Sequence, residues 1–201
     1  MEAITLINNY KQLFNTAEKR VKNADLIKSL FSNSKQIKFN DLDFPENQSD
    51  YQFHLGYDGV DLYGILIKSN KNVFFGNTIT SKTIVSKFEK MDYIVPSNLI
   101  TKLHINNEIT YDEVIKRKNI YTNNLNTLID NSLKADKMVQ YFCVNNENFE
   151  LTGNNTCILT AVFDEQLGGD VRFDLITINT SYKDIVRPVP PFKPFVWASM
   201  S

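Results

Sequence analysis

The residues whose types could carry out chemistry together are His54, Asp61 and Tyr63, which lie close to one another in the stretch YQFHLGYDGVDLYGILI. An imidazole held by a tyrosine and a carboxylate has the parts of an acid/base site or a polar ligand site. The spacing predicts a hairpin in which His54 lies opposite Tyr63 and diagonal to Asp61. These three are therefore the candidate ligand-binding residues. The alternative, which we favour, is a strand histidine hydrogen-bonded at a half-buried surface.

The sequence carries no motif of a familiar catalytic or metal-binding class. The patterns G-x-S-x-G, H-E-x-x-H, G-x-G-x-x-G and the phosphate-binding lysine loop are all missing from it. Its two cysteines, Cys143 and Cys157, are too few for a disulfide scaffold and too far apart for a CxxC pair. We expect both to be buried and reduced. The sequence thus predicts no catalytic residue, no metal site and no cofactor, and it favours a protein that is not an enzyme.

Residues 186–201 form what we call the C-terminal arm, which contains the stretch RPVPPFKPFVW and four of the six prolines of the protein. Aromatic rings are unfavourable in water, since burial of one such side chain contributes about 1.5 to 3 kcal/mol. The arm is therefore predicted to dock on its own domain, on a neighbouring subunit or, through its loose P-x-x-P-x-K pattern, on an SH3-like module. The predicted partner-binding residues are Pro188, Pro190, Pro191, Phe192, Phe195 and Trp197.

Charge and composition exclude several classes of partner. The formal net charge is −1, which gives no overall field to attract nucleic acid or an anionic membrane. The first residues, MEAITLINNYKQLF, lack the basic start and apolar core of a signal peptide. We therefore expect a cytoplasmic protein whose partners are copies of itself or other protein subunits, with no nucleic acid and no membrane.

Two local patterns define the first part of the fold. Apolar residues recur every three or four positions over residues 1–34, which predicts one long helix that lies on a sheet or pairs with another chain. Asp58 and Gly59 then stand between two alternating apolar runs, the signal for a two-residue hairpin turn. That turn pairs Leu55 with Leu62 on a core face. The opposite face is only half apolar and is expected to look onto a pocket or water.

The middle of the chain is predicted to be helical. Ser81 and Ser97 are each expected to cap a short helix. Thr110 and Glu113 match a capping box that opens a long helix ending near residue 136. The basic run at residues 116–118 on this helix is typical of a solvated helix face.

Strands are predicted again towards the end of the chain, at residues 138–144, 156–164 and 171–179. A two-residue turn at Gly168 and Gly169 would join the last two strands and pair Thr160 with Thr177.

The order of these elements predicts a single α+β domain over residues 1–201. It comprises the N-terminal helix (1–34), a sheet with middle helices (36–180) and the arm (186–201). The antiparallel sheet has about five strands, from the hairpin and a three-stranded meander. In this order of elements the chain resembles the PAS and profilin-like group of folds, in which two strands, a helical middle and three more strands form one antiparallel sheet.

Two functions fit these patterns. Our first hypothesis is a noncatalytic protein-interaction or structural subunit, which assembles into an oligomer or larger complex through its N-terminal helix and C-terminal arm. The alternative, implied by the resemblance, is a PAS-like small-ligand sensor or binding domain. Its pocket, between sheet and middle helices, would be lined by Phe53, Tyr63, Phe88 and Phe163.

Overall fold

The protein combines helices with antiparallel strands, which confirms the predicted mixture of secondary structure. The computed structural model describes residues 1–40, 42, 51–68, 74–75, 78–79, 82–99, 108–144, 149–150, 153–164, 170–184 and 186–189. Its elements in chain order are α1 (Ala3–Gln12), α2 (Ala17–Lys22), α3 (Ala24–Asn33), β1 (Ile37–Asn40), β2 (Tyr51–Tyr57), β3 (Leu62–Lys68), β4 (Phe74–Phe75), β5 (Thr78–Ile79), β6 (Thr83–Lys87), α4 (Tyr111–Lys134), β7 (Tyr141–Val144), β8 (Asn154–Asp164), β9 (Asp170–Ile178), β10 (Tyr182–Asp184) and β11 (Val186–Val189). None of the helices in these ranges has the length and apolar character that a membrane crossing requires.

The described strands form two main sheets, whereas the sequence predicted one. A four-stranded sheet has the order β1-β8-β9-β10, and a five-stranded sheet has the order β11-β7-β2-β3-β6. All pairings within them are antiparallel. The predicted meander is split, because β7 joins the β2–β3 hairpin while β8 and β9 pair in the other sheet. The single sheet implied by the PAS-like resemblance is therefore not what these strands form.

Both sheets contribute to the main hydrophobic core, and Phe53 of β2 lies at its centre. Its ring packs edge-on against Phe39 of β1, with the centroids 5.8 Å apart. It also contacts Phe142 of β7 at 6.1 Å and Phe88 at 6.3 Å. Edge-to-face pairs of this kind contribute about 0.5 to 1.5 kcal/mol beyond the area that they bury. The aromatic rings thus hold the two sheets together.

The edges of the two sheets are also linked at two places, by a backbone bridge and by a short connection of the chain. Gln36, next to β1, and Glu89, next to β6, form a backbone bridge in which the N–H of Glu89 donates to the carbonyl oxygen of Gln36 at 2.7 Å. On the other side a single residue separates β10 of one sheet from β11 of the other. The four-stranded and five-stranded sheets are therefore held together at their edges as well as through the core.

The N-terminal region forms three helices, so the prediction of one continuous helix is wrong. The first helix ends at Gln12, and polar side chains take over the hydrogen bonds that its backbone leaves open. Asn23 Nδ2 donates to the carbonyl oxygen of Leu13 at 2.8 Å. Thr16 Oγ1 caps α2 by accepting a hydrogen bond from the N–H of Lys19 at 3.2 Å. Polar capping residues inside the apolar period thus break the helix.

The apolar stripe of this region is buried within the protein. Helix α1 packs on β2, and α3 packs on α4. α2 contributes no buried residue. The buried residues of α1 and α3 are Leu6, Ile7, Tyr10, Ile27, Leu30 and Phe31.

The hairpin forms where the Asp58-Gly59 pair predicts it, but its loop has four residues. Asp58 Oδ1 accepts hydrogen bonds from the N–H groups of Val60 and Asp61, both at 2.8 Å. Gly59 supplies the positive φ that the loop requires, at 107°. The aspartate side chain thus closes a wider loop than the two-residue turn that the sequence suggested.

This loop shifts the predicted register by two residues, so that Leu55 pairs with Gly64 instead of Leu62. A shift of two preserves the faces, because side chains alternate with a period of two. The second face was expected to look onto a pocket or water, and this expectation is wrong. Helix α1 covers that face through Leu6 and Ile7.

Strand β6 occupies the place of the helix predicted to begin at Ser81. Its first three residues are β-branched, which favours a strand, and its backbone pairs with the edge of β3. Ser97 lies in a turn, and most of the helix predicted to follow it lies outside the described residues.

Helix α4 confirms the long helix that the capping box predicted. Thr110 Oγ1 accepts a hydrogen bond from the N–H of Glu113 at 3.2 Å. The residues expected to point inward are buried, namely Val114, Tyr121, Leu125, Leu128 and Ile129.

The register between β8 and β9 differs from the predicted one by an odd number of residues. Thr160 pairs with Asp174 and not with Thr177. An odd shift exchanges the two faces of a strand relative to its partner. It brings the carboxylate of Asp174 beside Thr160. The turn predicted at Gly168 and Gly169 lies outside the described residues.

The two cysteines lie in different sheets. Cys157 is buried in β8, as predicted, whereas Cys143 in β7 is exposed, contrary to the prediction. The expectation that both are buried therefore holds for Cys157 alone.

The C-terminal arm begins as a strand of the protein's own sheet. β11 lies at the edge next to β7, where Val186 pairs with Val144 and Pro188 pairs with Phe142. An edge is a usual position for proline in a sheet, because proline has no N–H to donate to a second neighbour. The other predicted partner-binding residues lie outside the described residues: Pro190, Pro191, Phe192, Phe195 and Trp197.

We predict that Gly64→Ala destabilises the protein by about 1 to 3 kcal/mol, because overpacking of a filled core has this cost. A Cβ at Gly64 would lie 2.5 Å from Ile37 Cδ1 and 2.6 Å from Phe53 Cζ. Urea unfolding followed by circular dichroism measures the loss. Adding Ile37→Val removes the nearer methyl group, so the double variant should lose less than the sum of the single variants. Wild-type stability in Gly64→Ala would contradict this close packing between the sheets.

Candidate functional site

A groove of about 380 Å³ lies between the N-terminal half of α4 and strands β8, β9 and β10. This volume is within the range of small-ligand sites. Its apolar lining consists of Ile120, Val162 and Phe163, and Phe163 is 54% exposed. Its ionisable lining consists of Glu113, Lys116, Arg117, Arg172, Asp174 and Asp184. The groove is thus lined by both apolar and ionisable side chains.

Arg117 connects the ionisable side chains of the groove by binding three carboxylates. Its Nε donates to Glu113 Oε1 at 2.9 Å, and its Nη1 donates to Asp174 Oδ2 at 2.8 Å. The same Nη1 lies 2.9 Å from Asp184 Oδ2. The Arg117 side chain is 13% exposed, so water screens these ion pairs only weakly. One guanidinium therefore ties α4 to both β9 and β10.

Asp174 is the most deeply buried member of this cluster. Its Oδ2 also accepts a hydrogen bond from Thr160 Oγ1 at 3.3 Å. Burial and then the charge of Asp184 raise the pKa of Asp174 to about 6, although Arg117 acts in the opposite direction. The carboxyl of Asp174 therefore titrates much closer to neutrality than an exposed aspartate.

The neighbouring groups keep their charges. Burial alone would lower the pKa of Arg117, but Asp174, Glu113 and Asp184 raise it, and the net shift is upward. Burial would raise the pKa of Glu113, but Arg117 and Lys116 bring it below its ordinary value. At neutral pH the groove therefore presents an ionised Glu113 beside a charged Arg117.

Local structure explains how α4 supplies its part of the site. Glu113, Arg117 and Ile120 are spaced four and three residues apart, which puts them on one side of a helix. The cap at Thr110 uses the backbone N–H of Glu113, and the carboxylate of Glu113 binds Arg117. The same residue therefore starts the helix and orients the guanidinium.

The basic run on α4 is a solvated face only in part. Lys116 is exposed, as predicted, and its Nζ lies 3.5 Å from Glu113 Oε2. Arg117 is half-buried in the carboxylate cluster, contrary to the prediction. Lys118 Nζ donates to the carbonyl oxygen of Tyr93 at 3.0 Å.

His54, the central residue of the site predicted from sequence, is buried in β2 and pairs with Ile65. Its Nε2 shares a hydrogen bond of 2.8 Å with Gln52 Oε1, and its ring stacks on Tyr141 with centroids 4.8 Å apart. Burial, and then the charge of Lys11, lower the pKa of His54 to about 3. The imidazole is therefore neutral at physiological pH, and the reading of a hydrogen-bonded strand histidine fits its surroundings.

Asp61 and Tyr63 lie together at the hairpin loop. The carboxylate of Asp61 forms an ion pair with Lys87, and the hydroxyl of Tyr63 donates to Asp58 Oδ2 at 2.9 Å. In the ladder Tyr63 pairs with Gly56, so His54 is not opposite it. Asp61 and Tyr63 are thus joined through hydrogen bonds to Asp58 in the hairpin loop. His54, the third predicted ligand-binding residue, lies on the buried face under α1.

The residues expected to line a PAS-like pocket do not meet around one cavity. Phe53 and Phe88 pack on each other in the core. Phe163 lines the groove at α4, and Tyr63 belongs to the hairpin loop. The interior position expected for such a pocket is occupied by core side chains.

The sequence contained two signals of the groove that its interpretation passed over. One is the spacing of Glu113 and Arg117 on a helix, which is typical of an ion pair. The other is Asp174 within the mostly apolar stretch FDLITI, since a carboxylate inside a buried strand requires a partner. The contact of Arg117 with both Glu113 and Asp174 at once depends on the register of β8 and β9, which the sequence did not reveal.

Comparisons of this chain with protein-family models, with curated proteins and with solved structures found no match.

We predict that Asp174→Asn removes a pH dependence of stability between about pH 4 and pH 6. Because the pKa of Asp174 is higher in the folded protein than in the unfolded chain, folding is favoured by proton binding. Wild-type stability relative to the variant should therefore fall as pH rises through this window, by at most about 1.4 kcal/mol per pH unit. Urea unfolding of both proteins across the window measures the difference. A difference that does not change with pH would contradict the proposed environment of Asp174.

The opposite sign is expected for His54. Its pKa is lower in the folded protein, so the unfolded chain binds the proton more readily and acid destabilises the wild type. The contribution of His54 is complete above the unfolded pKa of about 6.5 and is lost progressively towards about pH 3. His54→Phe keeps a ring against Tyr141 and cannot titrate, so its unfolding free energy should decrease less on acidification. Equal acid sensitivity of the two proteins in urea titrations would refute this.

Proposed function

We propose that the protein is a noncatalytic interaction subunit that assembles, chiefly with copies of itself, through its C-terminal arm. The observation that carries the proposal is the position of β11. This strand fixes the start of the arm at the edge of the five-stranded sheet, beside β7. Residues 186–189 of the arm therefore have a fixed position in the protein's own sheet.

The composition of the arm supports contact with another protein surface. Phe192, Phe195 and Trp197 follow closely on β11, and each ring would gain about 1.5 to 3 kcal/mol from full burial. The prolines among them restrict the chain before it binds, so less conformational entropy is lost on docking. A stiff aromatic arm on a fixed base is suited to exchange between subunits.

The N-terminal helices take a smaller part in the proposed assembly. The apolar residues of α1 and α3 that could have paired with another chain are used in the protein's own core. Val21 on α2 and Leu26 on α3 remain exposed and offer a limited apolar surface. The arm is therefore the principal contact in this proposal.

The surroundings of His54 favour a noncatalytic role. A general base needs a pKa near the working pH and access to a substrate. His54 is buried, and its pKa is about 3. Acid/base catalysis by this histidine is thus not favoured.

A second candidate function is small-ligand binding. The specific observation in its favour is the groove between α4 and β8–β10, with its volume of about 380 Å³ and its exposed Phe163. In this form the candidate differs from a PAS-like domain, because the groove lies beside the four-stranded sheet and not inside the core between the sheets.

The assembly is tested by size-exclusion chromatography with light scattering over a series of concentrations. We expect the full chain to form species larger than the 23.2 kDa of one chain. A version that ends at Val189 keeps β11 in its sheet and should be monomeric. The triple variant Phe192→Ser, Phe195→Ser, Trp197→Ser should behave as the truncated chain does.

Met200→Ser serves as a control, because it changes the same arm but none of the rings. It should assemble as the wild type does. If the full chain is monomeric at every concentration, or if truncation leaves the assembly intact, the proposal is wrong.

A further inference from the structure

We infer that the groove between α4 and β8–β10 binds a small amphipathic zwitterion, that is, a molecule with one cationic group, one anionic group and an apolar part. An α-amino acid with an aromatic or large aliphatic side chain is the simplest member of this class. The inference rests on the second candidate function, ligand binding at the groove, and it does not depend on the arm.

The positive and negative charges of the groove are equal in number. Glu113, Asp174 and Asp184 are acidic, and Lys116, Arg117 and Arg172 are basic, so the formal charges sum to zero. A ligand with a single charge would meet as many like charges as opposite ones. A ligand that carries both signs can turn each end towards its opposite, which is the basis of electrostatic selectivity.

Lys116 and Arg117 can receive the anionic end. The Lys116 side chain is 64% exposed, and its nearest ionic partner, Glu113 Oε2, lies 3.5 Å away, so the ammonium is loosely held. The three carboxylates bind Arg117 through Nε and Nη1. Among the described contacts, the second terminal nitrogen of Arg117 is therefore its remaining donor. A lysine beside a guanidinium forms charge-assisted hydrogen bonds with a carboxylate.

Glu113 and Asp184 can receive the cationic end. Both side chains are half-buried at the groove, and each carboxylate already binds Arg117. An ionised carboxylate has about four acceptor positions, so Glu113, which binds Arg117 through Oε1 and Lys116 through Oε2, can accept from an ammonium as well. Asp184 adds a second negative charge at the same guanidinium. Asp174 is more deeply buried than these two, and we assign it the role of holding Arg117 in place.

Phe163 provides the surface for the apolar part of the ligand. Phe163 is exposed although contact of an aromatic ring with water is unfavourable. Ile120 and Val162 line the groove with it. An aromatic or aliphatic side chain placed there would cover the ring. A groove lined by both charged and apolar side chains thus matches a molecule that carries both charges and an apolar part.

The test uses L-phenylalanine as the probe and follows the backbone amide signals of the full chain by NMR during titration. We expect saturable shifts in residues of the groove, with a dissociation constant at or below about 1 mM. Two analogues each remove one charge: 3-phenylpropionate lacks the ammonium, and 2-phenylethylamine lacks the carboxylate. Each should bind at least about tenfold more weakly, because one charge-assisted contact is lost.

Two variants examine the protein side. Lys116→Met, at an exposed position, should weaken L-phenylalanine binding about tenfold and leave 2-phenylethylamine binding nearly unchanged. Phe163→Ser should weaken binding of all three compounds. Lys22→Met on α2 is the matched control for Lys116→Met at an exposed position outside the groove, and it should bind as the wild type does.

The outcomes separate the ligand class from ligand binding itself. If an analogue with one charge binds at the groove as tightly as L-phenylalanine, the groove is a ligand site but the zwitterion inference is wrong. If none of the three compounds produces saturable shifts at about 10 mM, the zwitterion inference is wrong, whereas the second candidate function would then require a ligand of another class. Shifts confined to residues outside the groove would overturn the inference too.

Discussion

The β2–β3 hairpin is buried on both of its faces, and the rest of the described structure is arranged around this constraint. One face packs through Phe53 against the four-stranded sheet, and the other lies under α1. Glycine is required where the neighbours come closest. A Cβ at Gly56 would lie 2.8 Å from Leu6 Cβ of α1, and a Cβ at Gly64 would meet Ile37 of β1. The absence of a side chain therefore lets α1 approach β2 at Gly56 and leaves room for the side chains of Ile37 and Phe53 at Gly64.

Burial of the hairpin also decides where charged groups can act. A histidine enclosed by α1 and Tyr141 stays neutral, because the low-polarity surroundings disfavour its charged form. Charged side chains meet instead where α4 packs on the four-stranded sheet, and there Arg117 binds three carboxylates. Buried ion pairs of this kind recover their desolvation cost only with good geometry, so they are weak evidence for stability. They fix the positions of α4, β9 and β10 relative to one another, which is what a binding site needs.

The groove and the base of the arm are neighbours along the chain. Asp184 of β10 binds Arg117 in the groove, and Val186 of β11 begins the edge strand two residues later. This short segment also carries the chain from the four-stranded sheet to the five-stranded one. The proposed ligand site and the proposed assembly segment therefore lie on either side of one short connection between the sheets. Each depends on different side chains.

The sequence by itself determined the elements that have local causes: the hairpin at Asp58 and Gly59, the helix capped by Thr110, the strands β8 and β9, and the buried face of α4. Only the tertiary structure decided the division into two sheets, the pairing of β6, the register that sets Thr160 against Asp174, and hence the groove. The physical reason is that turn chemistry and hydrophobic period belong to neighbouring residues. The register of a strand and its partner in the sheet are set by backbone hydrogen bonds between segments that are distant in the sequence. Many different pairings satisfy the same alternation of side chains, so the sequence alone does not select one of them.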